Sequence, residues 1–339
     1  MVTTAPALSM SGQLLPPGPP KMLNRVIRGK KAWTRATIRE TDYILPISQA
    51  CLDELDHMIK TLRCHPLDTL LLTPEDYPLS ASRRFMARVK QVLERGVGFA
   101  LVDRLPVRRY TKAELKAIYW LLSSMIARPV AQAFKGTMLY DVIDTGQKMN
   151  ERVRADLTNQ ELRFHTDYGY NRPPPYFGLQ VLRTARKGGR SSVISLYTAH
   201  NAMRRRHPDL LPRLYRPFYL NRYQEHAPDE PIATYRPIFE YDGTVLKAQF
   251  NHRNVEAGYA LMGQTMDPKG KAAINALSEV LDDKALQVDF ALKAGQIEYV
   301  LNYQCAHRRT AYEDVDEPAK KRHLVRIFLR DDGARSYMG

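Results

Sequence analysis

The chain has 339 residues, 44% hydrophobic and 26% charged, and a formal charge of +15. That is ordinary globular composition, with room for one large core or two smaller ones. The longest apolar stretch, 118–127, is too short to span a bilayer, and three cysteines make neither a disulfide framework nor a zinc motif.

The excess of positive charge points either to a nucleic-acid surface or to a basic exterior that draws in small anions. The basic residues are spread along the whole chain, and the tightest runs, Arg204-Arg205-Arg206 and Lys320-Lys321-Arg322, read as solvated faces. Small anions are therefore the expected partners, and nucleic acid is not. No basic flank precedes an apolar run at the start, so neither a secretory signal nor a membrane segment is expected. A reducing, cytoplasmic setting fits the cysteine usage best. The chain is compatible with a homo-oligomer.

Residues 1–21 contain Leu14-Leu15-Pro16-Pro17-Gly18-Pro19-Pro20. Such a stretch has few backbone donors and little to bury, and reads as a flexible arm. Residues 22–339 read as one domain, with 22–127 mostly helical and 128–332 mostly strands. Leu52, Leu55, Ile59 and Leu62 lie at helical spacing within 46–64. A second helix is expected over 82–95, with Phe85, Val89 and Val92 on one side and Gly96 as its stop. A short buried strand follows at 97–102. Thr111 to Glu114 forms a capping box that opens a third helix running to 126.

Strands are then expected at 138–143 and at 176–182, the latter turning through Lys187-Gly188-Gly189 into a partner at 191–196. A helical insertion over 198–215 should break near Pro208. Residues 238–241 and 245–250 flank Asp242-Gly243 as a hairpin. A helix at 268–283 precedes strands at 286–292, 297–301 and 324–329. Many short strands with few helices between them argue a sandwich or jelly roll rather than a parallel sheet.

There is no Walker loop, no dinucleotide fingerprint, no nucleophile elbow and no H-E-x-x-H helix. The informative stretch is Phe164-His165-Thr166-Asp167-Tyr168-Gly169-Tyr170. On an extended strand His165 and Asp167 would share a face, so an imidazole and a carboxylate could grip one cation. Alone, H-x-D is a weak signal. Of nine histidines, His57, His65, His200, His207 and His226 sit among charged residues and read as surface groups, while His252 and His323 read as core or substrate-side. His307 is the candidate third ligand, supplied from a distant strand. Two histidines and one carboxylate form the facial triad of non-haem Fe(II) oxygenases, and zinc is the rival metal.

Four motifs occur in order: H-T-D at 165–167, G-G-R-S at 188–191, H-R-R-T-A at 307–311 and R-H-L-V-R at 322–326. In this the chain resembles the taurine/2,4-dichlorophenoxyacetate dioxygenase family, which includes clavaminate-synthase-like enzymes. The resemblance implies a double-stranded β-helix, or jelly roll, mainly β with flanking helices. It implies Fe(II), 2-oxoglutarate and O2 as cofactor and cosubstrates, with release of succinate and CO2. His165, Asp167 and His307 carry over as iron ligands. Ser191, where many relatives have threonine, and Arg322 carry over as partners of the distal carboxylate of 2-oxoglutarate, with Ser192 as the alternative to Ser191. Arg326 matches an arginine that holds an anionic group of the substrate in several relatives. Halogenating relatives lack the carboxylate at the position of Asp167, so its presence favours hydroxylation or desaturation.

The expected activity is oxidation of a C–H bond in a small anionic molecule, such as an amino-acid derivative or an intermediate of specialised metabolism. An oxygenase acting on a macromolecule and a non-catalytic jelly-roll binding protein are the alternatives. Residues 140–164 and 250–266 are expected to cover the site.

Overall fold

The computed structural model describes residues 6–146 and 157–336. Strand β1 (Ile44–Pro46) leads into helices α1 (Gln49–Cys64) and α2 (Ser80–Arg95), strand β2 (Phe99–Asp103) and helix α3 (Lys112–Ser124). Then come β3 (Arg128–Val130), β4 (Leu139–Val142), β5 (Leu162–His165), β6 (Tyr176–Arg183), β7 (Lys187–Gly188) and β8 (Ser191–Ser195). A helical insertion, α4 (Leu196–Arg206) and α5 (Leu211–Leu214), breaks around Pro208 as its sequence requires. Two hairpins follow, β9 (Phe218–Asn221) with β10 (Ala233–Arg236) and β11 (Phe239–Tyr241) with β12 (Leu246–Ala248). Helices α6 (His252–Leu261) and α7 (Pro268–Asp282) precede β13 (Gln287–Phe290), β14 (Ile297–Leu301), β15 (Cys305–Arg309), β16 (Tyr312–Glu313) and β17 (His323–Arg330).

The larger sheet runs β1-β2-β14-β6-β17-β3, with β4 also on β17, and the smaller runs β13-β8-β15-β5. The strand alternation sorts two cores. Ile297, Tyr299, Val325, Ile327 and Leu329 point outward and pack under Leu55, Met58, Val89, Ile118 and Trp120 of the helices. Phe177, Val181, Val300, Leu324 and Phe328 point inward and meet Phe164, Val193, Ile194 and Ala306 from the smaller sheet. The result is the expected jelly roll with helices on its outer face.

Local chemistry sets the helix ends. The Thr111 hydroxyl accepts from the Glu114 amide, and the Glu114 carboxylate accepts from the Thr111 amide. No side chain caps α2 from its own N-cap residue. Instead Glu54 of α1 accepts from the amides of Ala81 and Ser82 and from the hydroxyls of Ser80 and Ser82.

Three expectations are corrected. The Lys187-Gly188-Gly189 turn does not close a hairpin, because β6 belongs to the larger sheet and β8 to the smaller, so the chain crosses between them. Gly188 pairs with Tyr312 of β16 at φ +78°, and a Cβ there would lie 2.3 Å from the Ala311 carbonyl oxygen. The stretch 1–21, expected to be a loose arm, is docked along part of its described length. Leu8 N donates to the Tyr235 carbonyl at 2.8 Å, Met10 N donates to Glu240 at 2.7 Å, and the Met10 side chain is fully buried. His200, expected at the surface, is buried, with Nε2 2.7 Å from the Tyr215 hydroxyl. No helix among the described residues is long and apolar enough to cross a membrane.

Candidate active site

Strand β5 ends at His165, which lies directly opposite His307 of β15. Asp167 is not on that strand, as alternate-face reasoning requires. It sits in the turn beyond, where Tyr168 takes a left-handed φ of 61°. The turn is fixed from both sides. Thr166 N donates to the Phe250 carbonyl at 2.8 Å, and Phe250 N donates to the Thr166 hydroxyl at 3.0 Å. Asn302 accepts from the Asp167 amide at 2.9 Å and donates to the Asp167 carbonyl at 2.8 Å.

The segment that follows is held residue by residue. Arg236 donates to the Asn171 carbonyl and Arg330 to that of Arg172. The Tyr303 hydroxyl donates to Pro173 at 2.6 Å, the Asn302 amide group to Pro174 at 3.1 Å, and the Asn302 backbone N–H to Pro175 at 2.8 Å. Five consecutive carbonyls, 171–175, are thus occupied.

Ligand-type atoms of His165, Asp167 and His307 lie within 4.8 Å of one another, the one such group of three among the described residues. Asp167 Oδ1 is 3.5 Å from His165 Nε2 and 3.8 Å from His307 Nε2. His165 Nδ1 donates to the Arg163 carbonyl at 2.8 Å, which fixes the ring so that Nε2 is the atom turned toward Asp167 and a cation. Burial, the His165 ring beside it and Arg326 push His307 down to about 3 against the pull of Asp167, which keeps its imidazole neutral. Burial works to raise Asp167, yet the Arg326 guanidinium beside it holds it well below the usual carboxylate range. Two imidazoles and one anionic carboxylate fit Fe(II) with three positions left over.

Two spaces meet at this triad. A small cavity is lined by Ser191, Arg322, Leu179 and Leu324 together with the triad. Arg322 is 6% exposed, stacks on the Tyr312 ring at 4.9 Å, and has a buried Nη1 with no hydrogen-bond partner. A buried guanidinium with an orphaned donor beside a serine fits the distal carboxylate of 2-oxoglutarate. Ser192 faces the other way, its hydroxyl donating to Asp289 and accepting from Arg308, so it does not share the cavity. On the other side a cleft of about 510 Å³ opens, lined among others by Arg163, Tyr168, Gln249, Arg253, Asn254 and Arg326.

Arg326 lines both spaces. Its Nη1 is 3.1 Å from Asp167 Oδ2, and its Nε donates to Gln132 at 2.9 Å. Neither Gln132 nor the grip of Asn302 on Asp167 was anticipated from sequence, since neither belongs to a motif. His323 points out of the barrel to Asp141 at 2.6 Å, and His252 lines the cleft. Residues 147–156 of the expected cover lie outside the described residues. Its other half, 250–266, is largely α6.

A jelly roll that brings two histidines and one carboxylate together beside a buried arginine is the architecture of an Fe(II)/2-oxoglutarate oxygenase. The profile of the family "Taurine catabolism dioxygenase TauD, TfdA family" matches residues 69–328, and the chain belongs to that family. It is a dioxygenase that uses Fe(II), 2-oxoglutarate and O2. FR-33289 synthase of Streptomyces rubellomurinus is 24% identical over 323 residues, covering 94% of each chain. A taurine hydroxylase-like protein of Stachybotrys chartarum is 23% identical, covering 86% of this chain and 76% of its own. Among solved structures, asparagine oxygenase with Fe(II), 3-hydroxyasparagine and succinate superposes with a TM-score of 0.62 at 16% identity, covering 86% of this chain and 94% of its own. The non-haem iron oxygenase OrfP with Fe and alpha-ketoglutaric acid gives 0.59 at 16% identity over 85% and 94%. At these identities the structures show the shared fold.

Proposed function

We propose that the enzyme hydroxylates a C–H bond of a small molecule bearing an anionic group and N–H donors, such as an amino-acid derivative, with succinate and CO2 as co-products. The observation that carries this is the chemistry of the cleft wall. Gln249 donates from its amide nitrogen to the Pro237 carbonyl at 3.2 Å, and Asn254 to the Asn221 carbonyl at 2.9 Å. Each amide is thereby oriented, and each leaves a buried carbonyl oxygen with no partner. Two orphaned acceptors call for donors on the ligand, and the guanidinium of Arg326, though paired with Asp167, adds positive potential at the edge of the cleft that favours an anionic group. A cleft of about 510 Å³ has the size of a small-molecule site. The asparagine oxygenase and OrfP structures contain hydroxylated asparagine and hydroxylated arginine, which supports the amino-acid reading.

In this reading His165, Asp167 and His307 hold iron(II), while Ser191 and Arg322 hold the distal carboxylate of 2-oxoglutarate. When both are bound, they would supply the electrons that activate O2, two of them from the oxidation of 2-oxoglutarate to succinate and CO2, leaving O2 able to oxidise a C–H bond. The protein's own part is positional. Arg326 fixes the orientation of Asp167 and presents positive charge to the substrate anion at the boundary of the two spaces. Gln249 and Asn254 receive its N–H groups. Succinate formation measured across amino acids and their derivatives tests the proposal. Stimulation by ligands carrying both groups is expected, whereas stimulation only by apolar or cationic ligands would refute it.

A further inference from the structure

The H-R-R-T-A stretch at 307–311 carries an arginine that the reaction described so far does not use. Arg309 lies two residues beyond His307 on β15, so the two side chains share the inward face. In the register of the smaller sheet it stands directly opposite Ser191 of β8. Cross-strand partners point to one side of a sheet, which puts Arg309 beside the serine assigned to 2-oxoglutarate. It is 5% exposed and lines the same small cavity. Its Nη2 donates to the Thr158 carbonyl at 3.0 Å and to that of Gln160.

The charges around this cavity are unequal. Arg308, Arg309, Arg322 and Arg326 all line it, and Asp167 is the one carboxylate among its described lining residues. Arg326 is paired with that carboxylate at 3.1 Å. Arg308 is turned to Ser192 and to Asp282 and Asp289, at 3.5 and 3.8 Å from the two carboxylates. Arg309 and Arg322 lie over a single aromatic ring, their guanidinium carbons 4.7 and 4.9 Å from the centre of Tyr312. Two like charges held on one ring, beside one serine, suit a ligand group that is itself anionic.

We propose that Arg309 is a specificity-determining residue for the cosubstrate: with Arg322 it makes the Ser191 end of the cavity doubly cationic, and so selects 2-oxo acids that carry a second acidic group. The proposal rests on the reading that this cavity takes 2-oxoglutarate.

Calorimetric titration of the iron(II)-loaded, anaerobic protein compares 2-oxoglutarate with 2-oxopentanoate, in which a methyl group replaces the distal carboxylate. Arg309→Gln should weaken 2-oxoglutarate about tenfold or more, the weight of one hydrogen bond to a charged group, and change 2-oxopentanoate less than about twofold. Equal losses for both acids would reduce Arg309 to a brace for residues 158–160 and overturn the proposal. So would no loss for either. If the variant does not fold, the wild-type protein decides between 2-oxo acids bearing a distal phosphonate and a distal sulfonate, above the second ionisation of the phosphonate. The two groups are alike in shape and differ in charge. Tighter binding of the phosphonate is expected, and equal or weaker binding would refute the second cation. Wild-type protein that does not distinguish 2-oxoglutarate from 2-oxopentanoate would instead refute the assignment of the cavity itself.

Discussion

His165 Nε2 and His307 Nε2 converge on one oxygen of Asp167, and the Arg163 carbonyl orients the His165 ring independently of any cation it would hold. Replacing His165, Asp167 or His307 by alanine removes one of three donors. Turnover should fall by about a hundredfold or more, with iron content measured on the same samples. Full activity in one of them would remove that residue from the set. The two arginines should separate kinetically. Arg322→Ala should raise the KM for 2-oxoglutarate about 10- to 100-fold, the weight of a charge-assisted hydrogen-bonded pair, and depress decarboxylation even without substrate. Arg326→Ala should leave the 2-oxoglutarate KM nearer its starting value while lowering substrate-stimulated turnover. The reverse pattern would exchange their roles. The donor types were legible in the sequence because they sit in short motifs at fixed spacing. Their supports were not. Asn302 and Gln132 reach the site from 135 and 194 residues away from their partners, and no local pattern encodes such a contact.

At the scale of elements, α2 begins without a cap of its own and borrows Glu54 from α1. Glu54→Ala should lower stability by about 1–2 kcal/mol, read from the denaturant midpoint, while Glu54→Gln should recover part of it. His200 on α4 gives a pH test. Burial and Arg204 push its folded value down to about 4, against about 6.5 in an unfolded chain. As pH falls below about 6.5 the unfolded chain takes up a proton that the folded chain refuses. The resulting loss is about 3 kcal/mol by about pH 4. His200→Gln should flatten that part of the stability profile, and an unchanged slope would show that His200 does not cause it. Helices α1 to α3 were legible because their apolar residues recur at helical spacing and Thr111 announces the third. The β9–β10 hairpin and α6 were missed. Residues 218–236 carry no two-residue turn signal, and the opening turn of α6 is polar because His252, Arg253, Asn254 and Glu256 line the cleft.

At the scale of the molecule, the formal charge of +15 remains the coarsest feature of the chain. If it serves only to gather small anions, duplex DNA should bind weakly, and log affinity should fall steeply with log salt. Sequence-dependent binding that survives moderate salt would favour a nucleic-acid ligand instead. The jelly roll was legible as a class from many short strands, but the sheet to which each strand belongs was not. Strand alternation fixes which side chains share a face and says nothing about the partner. The glycines at 188 and 189 look the same whether the chain folds back or crosses over.

The occupied carbonyls of 171–175 bear on how the protein behaves when crowded. Pro173, Pro174 and Pro175 have no N–H, and the Asn171 amide is already bonded to the Tyr168 carbonyl. Residues 171–175 therefore offer a foreign chain few donors, and each of their carbonyls already has a partner. Edge-to-edge polymerisation needs a ladder of both. A loop beside the cleft is in this way a poor template for amyloid-like growth through its backbone, and its one charged side chain, Arg172, is turned to Asp332 at 3.4 Å.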